Sequence, residues 1–164
     1  MKSFKLLKIL LAACVAATSL WAGSVAATGD RYMKQKVVYH INYDNPKQQA
    51  GALRNIQNHI NAVGAQNMDI KVVLHGNGLS LLLYPDSLAK LPKFKQANAT
   101  DSMTASIDGL KNQGVAFQIC ANTVKGRGVS METDLYGADP ADVVPSGVAE
   151  LAHLQAQGYT YIKP

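Results

Sequence analysis

The chain has 164 residues, two cysteines and a formal net charge of +5. Residues 1–27 hold three lysines and no acid, so without them the balance falls to +2; that is too little for a concentrated basic face, and no nucleic-acid partner is expected. About 137 residues then remain with Cys120 as their single thiol, which suits one domain with its own apolar core and excludes a disulfide scaffold.

The N-terminus reads as an export signal. Lys2, Lys5 and Lys8 precede the apolar run "ILLAACVAATSLWAG", and "SVAATGD" offers small residues for cleavage after Ala27 or Ala26. This is the anatomy of a secretory signal peptide over residues 1–27. The run is rich in Ala, Ser, Thr and Gly, so no stable membrane span is expected once the signal is gone. The periplasm is the expected location. The alternative is a lipoprotein anchored at Cys14, because "LAAC" (11–14) resembles a lipobox. Residues 28–35 read as a flexible lead-in, and 36–164 as the folded domain.

Within that domain "KVVYHIN" (36–42) is a β-rich first strand. A helix follows, with Asn45 as its cap, Pro46 at its first position and Gly64 at its end; Leu53, Ile56, Ile60 and Val63 make its apolar stripe. Residues 70–74 form a second strand that ends in "HGNG". The stretch "LSLLLYPDSLAKLPKFKQ" predicts short helical pieces broken by Pro85 and Pro92. Its first six residues (79–84) are too apolar to leave exposed on a small monomer, so they are expected to be partly buried between copies. A helix with Met103, Ile107 and Leu110 inward runs up to Gly114. "VAFQIC" is the third strand. Residues 121–141 predict a short helix and loop, and "DVVPSG" a short strand. Ser146 caps a last helix, with Val148, Leu151 and Leu154 inward and Gly158 at its end, and "YTYIKP" is a terminal strand. This alternation predicts an α/β fold, a single-domain sandwich with a mainly parallel sheet of about five strands and helices on both faces.

Ligands of open parallel sheets sit beyond the carboxyl ends of the strands. Three polar turns fall there: "NYDN" (42–45), "HGNG" (75–78) and "CANT" (120–123). Cys120 carries the strongest chemistry. At the first turn of a helix its thiolate would be favoured by free N–H groups, with Lys125 and Arg127 adding positive field. The competing reading is a small apolar side chain packed at a strand end. His75 is either a proton donor or anion partner beside the thiol, or a cap for its own turn. Gly76 and Gly78 would permit an anion-binding backbone nest. No dinucleotide fingerprint, Ser–His–Asp set or P-loop is present. His40, His59 and His153 lack ligand spacing, so no metal site is expected. Asp44, Glu132 and Asp134 read as turn or cap residues.

The pieces "VVYHI", "LRNIQNHIN", "KVVLHGNGLSLLL" and above all "GVAFQICANTVKGRG" resemble the DsrE/DsrF-like proteins, specifically an exported branch, over residues 36–163. The resemblance implies a small α/β sandwich, trimeric or hexameric assembly, and a cysteine that accepts sulfane sulfur as a persulfide at the position of Cys120. Cytoplasmic members pass sulfur toward tRNA modification or dissimilatory sulfite reduction; a signal peptide separates this chain from those partners, so the pathway does not carry over.

Two functions follow as expectations. The first is a periplasmic sulfur carrier or sulfurtransferase-like protein. Cys120 is the nucleophile, and His75, Gly76, Asn77, Asn122, Thr123 and Arg127 bind substrate. Its partners are a sulfane-sulfur donor and an acceptor thiol, and it needs no cofactor. The second is an oligomeric module that binds an anion or a partner peptide, with Cys120 inert.

Overall fold

The computed structural model describes residues 31–164; the signal-peptide segment and Cys14 lie outside the described residues. Strand β1 (Gln35–Ile41) leads through Asn45, whose side chain accepts the Gln48 N–H, into α1 (Pro46–Val63). Satisfying that orphan amide, with Pro46 preset for the first helical position, fixes where the helix starts. After β2 (Met68–Leu74), two short 3₁₀ turns, Gly76–Leu81 and Pro85–Lys90, precede α2 (Asp101–Lys111). Next come β3 (Ala116–Cys120), α3 (Ala121–Arg127) and α4 (Met131–Asp134). The chain finishes with β4 (Val143–Val144), α5 (Gly147–Ala156) and β5 (Thr160–Ile162).

The five strands form one sheet in the order β4-β3-β2-β1-β5, and every neighbouring pair is parallel. From β1 to β4 the chain moves one way across the sheet. The connection from β4 to β5 then crosses back. Right-handed crossovers that run in opposite directions lie on opposite faces. Hence α1 and α2 cover one face with the segments that follow them, and α5 covers the other alone.

Strand alternation sorts the side chains accordingly. Val37, Tyr39, Ile41, Ile70, Val72, Leu74, Phe117 and Ile119 join Leu53, Ile56, Ile107 and Leu110 in the main core. Val38 and Val73 face the other way, under Leu151, Leu154 and Tyr159. Each large side chain buried in this way contributes about 1.5–3 kcal/mol of transfer free energy.

Two sequence expectations are overturned. Within the segment 79–84, residues 79–83 are buried inside one chain and only Tyr84 is exposed, at 36%, so the apolar run itself gives no reason to expect assembly. Tyr136 N–H donates to Leu82 C=O, Ala99 N–H to Leu83 C=O and Asn98 N–H to Ser80 C=O, so the segment is laced into the protein and its leucines complete the main core. Gly78 permits this close approach, since a Cβ there would stand 1.9 Å from the Ile41 carbonyl oxygen. Val148 is 66% exposed rather than inward. The first turn of α5 overhangs the carboxyl edge of the sheet, so Val148 faces a cleft there instead of the strands.

Candidate functional site

The parallel register brings the ends of β2 and β3 side by side: Leu74 pairs with Ile119, so His75, just past the end of β2, lies beside Cys120, the last residue of β3. Between the turn after β2, the start of α3 and the start of α5 lies a cleft of about 500 Å3. It is lined by His75, Gly76, Cys120, Asn122, Thr123 and Arg127, as expected from the sequence. It also takes in Lys93, Ser146 and Val148, which the sequence did not single out. Asn77 does not line the cleft; its Oδ1 accepts Arg127 Nη2–H at 2.7 Å. The "NYDN" turn is also elsewhere, because Asn45 caps α1 and the carbonyls of Tyr43 and Asp44 accept from the buried amides of Gln49 and Asn98.

Cys120 is the free cysteine among the described residues, and only 5% of its surface is exposed. It occupies the N-cap position of α3, and its side chain makes no capping hydrogen bond. Burial pushes its pKa up and is the largest single influence, but the Thr123 hydroxyl and the N–H groups of Gly147, Thr123 and Asn122 together outweigh it, leaving the thiol below its ordinary value. Donors gathered on a sulfur favour its anion. Thr123 is itself oriented: its Oγ1 accepts the Gly76 N–H at 2.8 Å, which leaves its own hydroxyl proton for the sulfur. Gly76 therefore acts by aiming Thr123.

Gly147 explains how α5 can contribute a donor. A Cβ there would lie 2.8 Å from His75 Cβ and 3.3 Å from Cys120 Cβ. Only a residue without a side chain lets the first turn of α5 rest against both. The sequence signal was "SG" after Pro145, which reads as a helix cap and gives no hint of the neighbour.

His75 does not cap its turn with its side chain. Its Nε2 stands 2.7 Å from His40 Nε2, a separation that requires an N–H···N hydrogen bond, and His40 Nδ1 is 2.7 Å from the Tyr161 hydroxyl. Burial, reinforced by His75 and Lys163, lowers His40 to about 4; burial and Lys163 lower His75 as well. Both rings are therefore neutral at pH 7, and one proton occupies the space between the two Nε2 atoms. At that pH the fixed charge of the site comes from cations. Arg127 and Lys93 both line the cleft, whereas Lys125 is not part of its wall.

The expected turn and cap acids stay structural where the structure shows them bonded. Asp134 is buried and accepts the Ser130 N–H and the Ser87 hydroxyl, and it pairs with Lys90. Among the described residues no three His, Cys, Asp or Glu side chains cluster closely enough to hold a metal ion, and no helix is long and apolar enough to cross a membrane.

The comparisons with known proteins agree with this architecture. None of the curated proteins matches the chain. Among solved structures, MTH1491 of Methanobacterium thermoautotrophicum, a protein of unknown function, is similar with a TM-score of 0.61 and 26% identity, over 79% of this chain and 99% of its own. The YchN protein of E. coli shares the fold with a TM-score of 0.57 at 17% identity, over the same 79% and 99%. The model of the DsrE/DsrF-like family matches residues 36–164, all but the first of the residues from β1 onward. On that match, and on the five-stranded parallel sheet shared with these neighbours, the chain belongs to the DsrE/DsrF-like family, which is associated with sulfur relay in general.

Proposed function

We propose that this protein is an exported sulfur carrier that holds sulfane sulfur as a persulfide on Cys120. The observation that carries the reading is the position of the sulfur, at the N-cap of α3 and on the wall of an open cleft, beside Thr123, Asn122 and Gly147, which lower its pKa. In loading, the Cys120 thiolate attacks the outer sulfur of a donor S–S bond. That bond breaks, the donor leaves with the electron pair, and Cys120–S–S⁻ remains. In unloading, an acceptor thiolate attacks the outer sulfur and Cys120 departs as thiolate. No electrons are gained or lost overall, and the steps follow thiol–disulfide exchange.

Export rests on the N-terminal sequence, which predicts a mature chain that begins near Thr28. Assembly into a homo-oligomer rests on the family resemblance, since the apolar segment 79–83 is consumed within the chain. The near-complete burial of Cys120 favours a second reading, a binding module with an inert thiol.

Mass spectrometry separates the two. Native protein incubated with polysulfide should gain about 32 Da, one sulfur, on Cys120, and lose it to an added thiol. A thiol that reacts only after unfolding establishes the binding module instead.

A further inference from the structure

Lys93 and Arg127 are clasped reciprocally. Lys93 Nζ donates to the Gly126 carbonyl at 2.5 Å, and Arg127 Nη1 donates to the Lys93 carbonyl at 2.9 Å. The guanidinium also covers the Phe94 ring at 4.4 Å. Two positive side chains are thereby held at the cleft that also holds Cys120. Every acceptor that holds them is neutral. Neither forms an ion pair among the described residues, and no residue lining the cleft is acidic.

The hydrogen bonds that hold these side chains are exposed and made to neutral groups, so they leave both positive charges uncompensated at the cleft. A guanidinium has five donors and an ammonium three. Two of the former and one of the latter are used here, which leaves several for a ligand. A thiolate in the same cleft adds a further requirement. An anionic donor would be repelled by Cys120 unless cations neutralised its far end.

We propose that the donor that loads Cys120 carries an anionic head group which Arg127 and Lys93 hold while its sulfane sulfur meets the thiolate. This assignment rests on the carrier reading. Thiosulfate is the smallest member of the class. Its terminal sulfur is attacked by the thiolate, the S–S bond breaks, and sulfite leaves with the electron pair: Cys–S⁻ and ⁻S–SO₃⁻ give Cys–S–S⁻ and SO₃²⁻. Arg127 and Lys93 would bind the sulfonate oxygens and then the departing sulfite. The planar fork of Arg127 suits two oxygens of such a head group.

The test uses two alkylating agents of nearly equal size, neutral iodoacetamide and anionic iodoacetate. The ratio of their rates on Cys120 cancels the thiolate fraction and reports the charge of the cleft. Wild-type protein should show a higher iodoacetate-to-iodoacetamide ratio than the unfolded chain. Lys93→Gln with Arg127→Gln should lower the ratio about tenfold, which is ~1.4 kcal/mol. Sulfur loading from thiosulfate, divided by the iodoacetamide rate so that any change in thiolate fraction cancels, should fall by a similar factor. Arg127→Lys should retain most of the ratio. If removal of Arg127 disrupts the fold, seen as loss of a cooperative urea transition, Lys93→Gln alone should still lower the ratio about threefold. A ratio unchanged in Lys93→Gln and in the double variant overturns the proposal and leaves the carrier reading standing. A high wild-type ratio with no sulfur gained from thiosulfate or polysulfide overturns the carrier reading, and the donor assignment falls with it.

Discussion

One face of the sheet is packed under α1, α2 and the leucines of 79–83; the other has α5 alone, and near the carboxyl edge its strands carry His40, Gln118 and Cys120 beside the aliphatic Val73. The first face holds the fold. The second, with a single helix, leaves polar groups near a cleft and lets Gly147 bring a backbone donor to the thiol. Stability and chemistry are thus divided by strand alternation. On β3, Phe117 and Ile119 point to the core while Cys120 turns toward α5.

The sharpest break between the faces is at the sulfur. Cys120→Ser should abolish the persulfide adduct completely, and its thermal midpoint should stay within a few degrees of wild type, because the change lies at the edge of the core. A large fall in the midpoint would mean that Cys120 is chiefly packing. Next come two like-for-like truncations. Leu110→Ala, in the thick core, should cost about 4 kcal/mol, and Leu151→Ala, under α5, about 2 kcal/mol, since a partly open site relaxes and hydrates more easily. Urea unfolding measures both. Leu151→Ala alone should also slow alkylation of Cys120. Equal costs would dissolve the distinction between the faces.

His40 gives a pH test of the thin face. Its folded pKa, about 4, lies below its ordinary 6.5. Between those values the unfolded chain binds a proton that the folded chain does not, so stability present above pH 6.5 is lost as pH falls toward 4. By pH 5 the loss should be about 2 kcal/mol. His40→Gln should remove that part of the difference in urea stability between pH 7.5 and pH 5; identical slopes in variant and wild type would count against a neutral, bonded His40. The smallest effect is expected at Gly147. Gly147→Ala should push α5 away from Cys120, move the alkylation inflection to higher pH and slow iodoacetamide about threefold at pH 7, as one lost donor implies. An unchanged inflection would mean that α5 does not support the thiolate.

Periodicity and caps were enough to read the order of elements, the inward stripe of α1 and the placing of Cys120 between a strand and a helix, because these are local properties of the chain. Asn45, Pro46 and Ser146 act as their types predict. The sequence also pointed to His75, Gly76, Asn122, Thr123 and Arg127, since the turns of adjacent parallel strands share an edge. It did not show which of those turns meet. "NYDN" is tied up by α1, while Lys93 arrives from an irregular loop with no motif to mark it. Nor did it show that His40 and His75, 35 positions apart, share a proton. Whether the apolar run 79–83 faced a partner or the core depended on what lay beside it. Local sequence reports a side chain's chemistry and periodic position. Its neighbours across the sheet, and therefore its charge state and its role, are set only when the crossovers place one strand end against another.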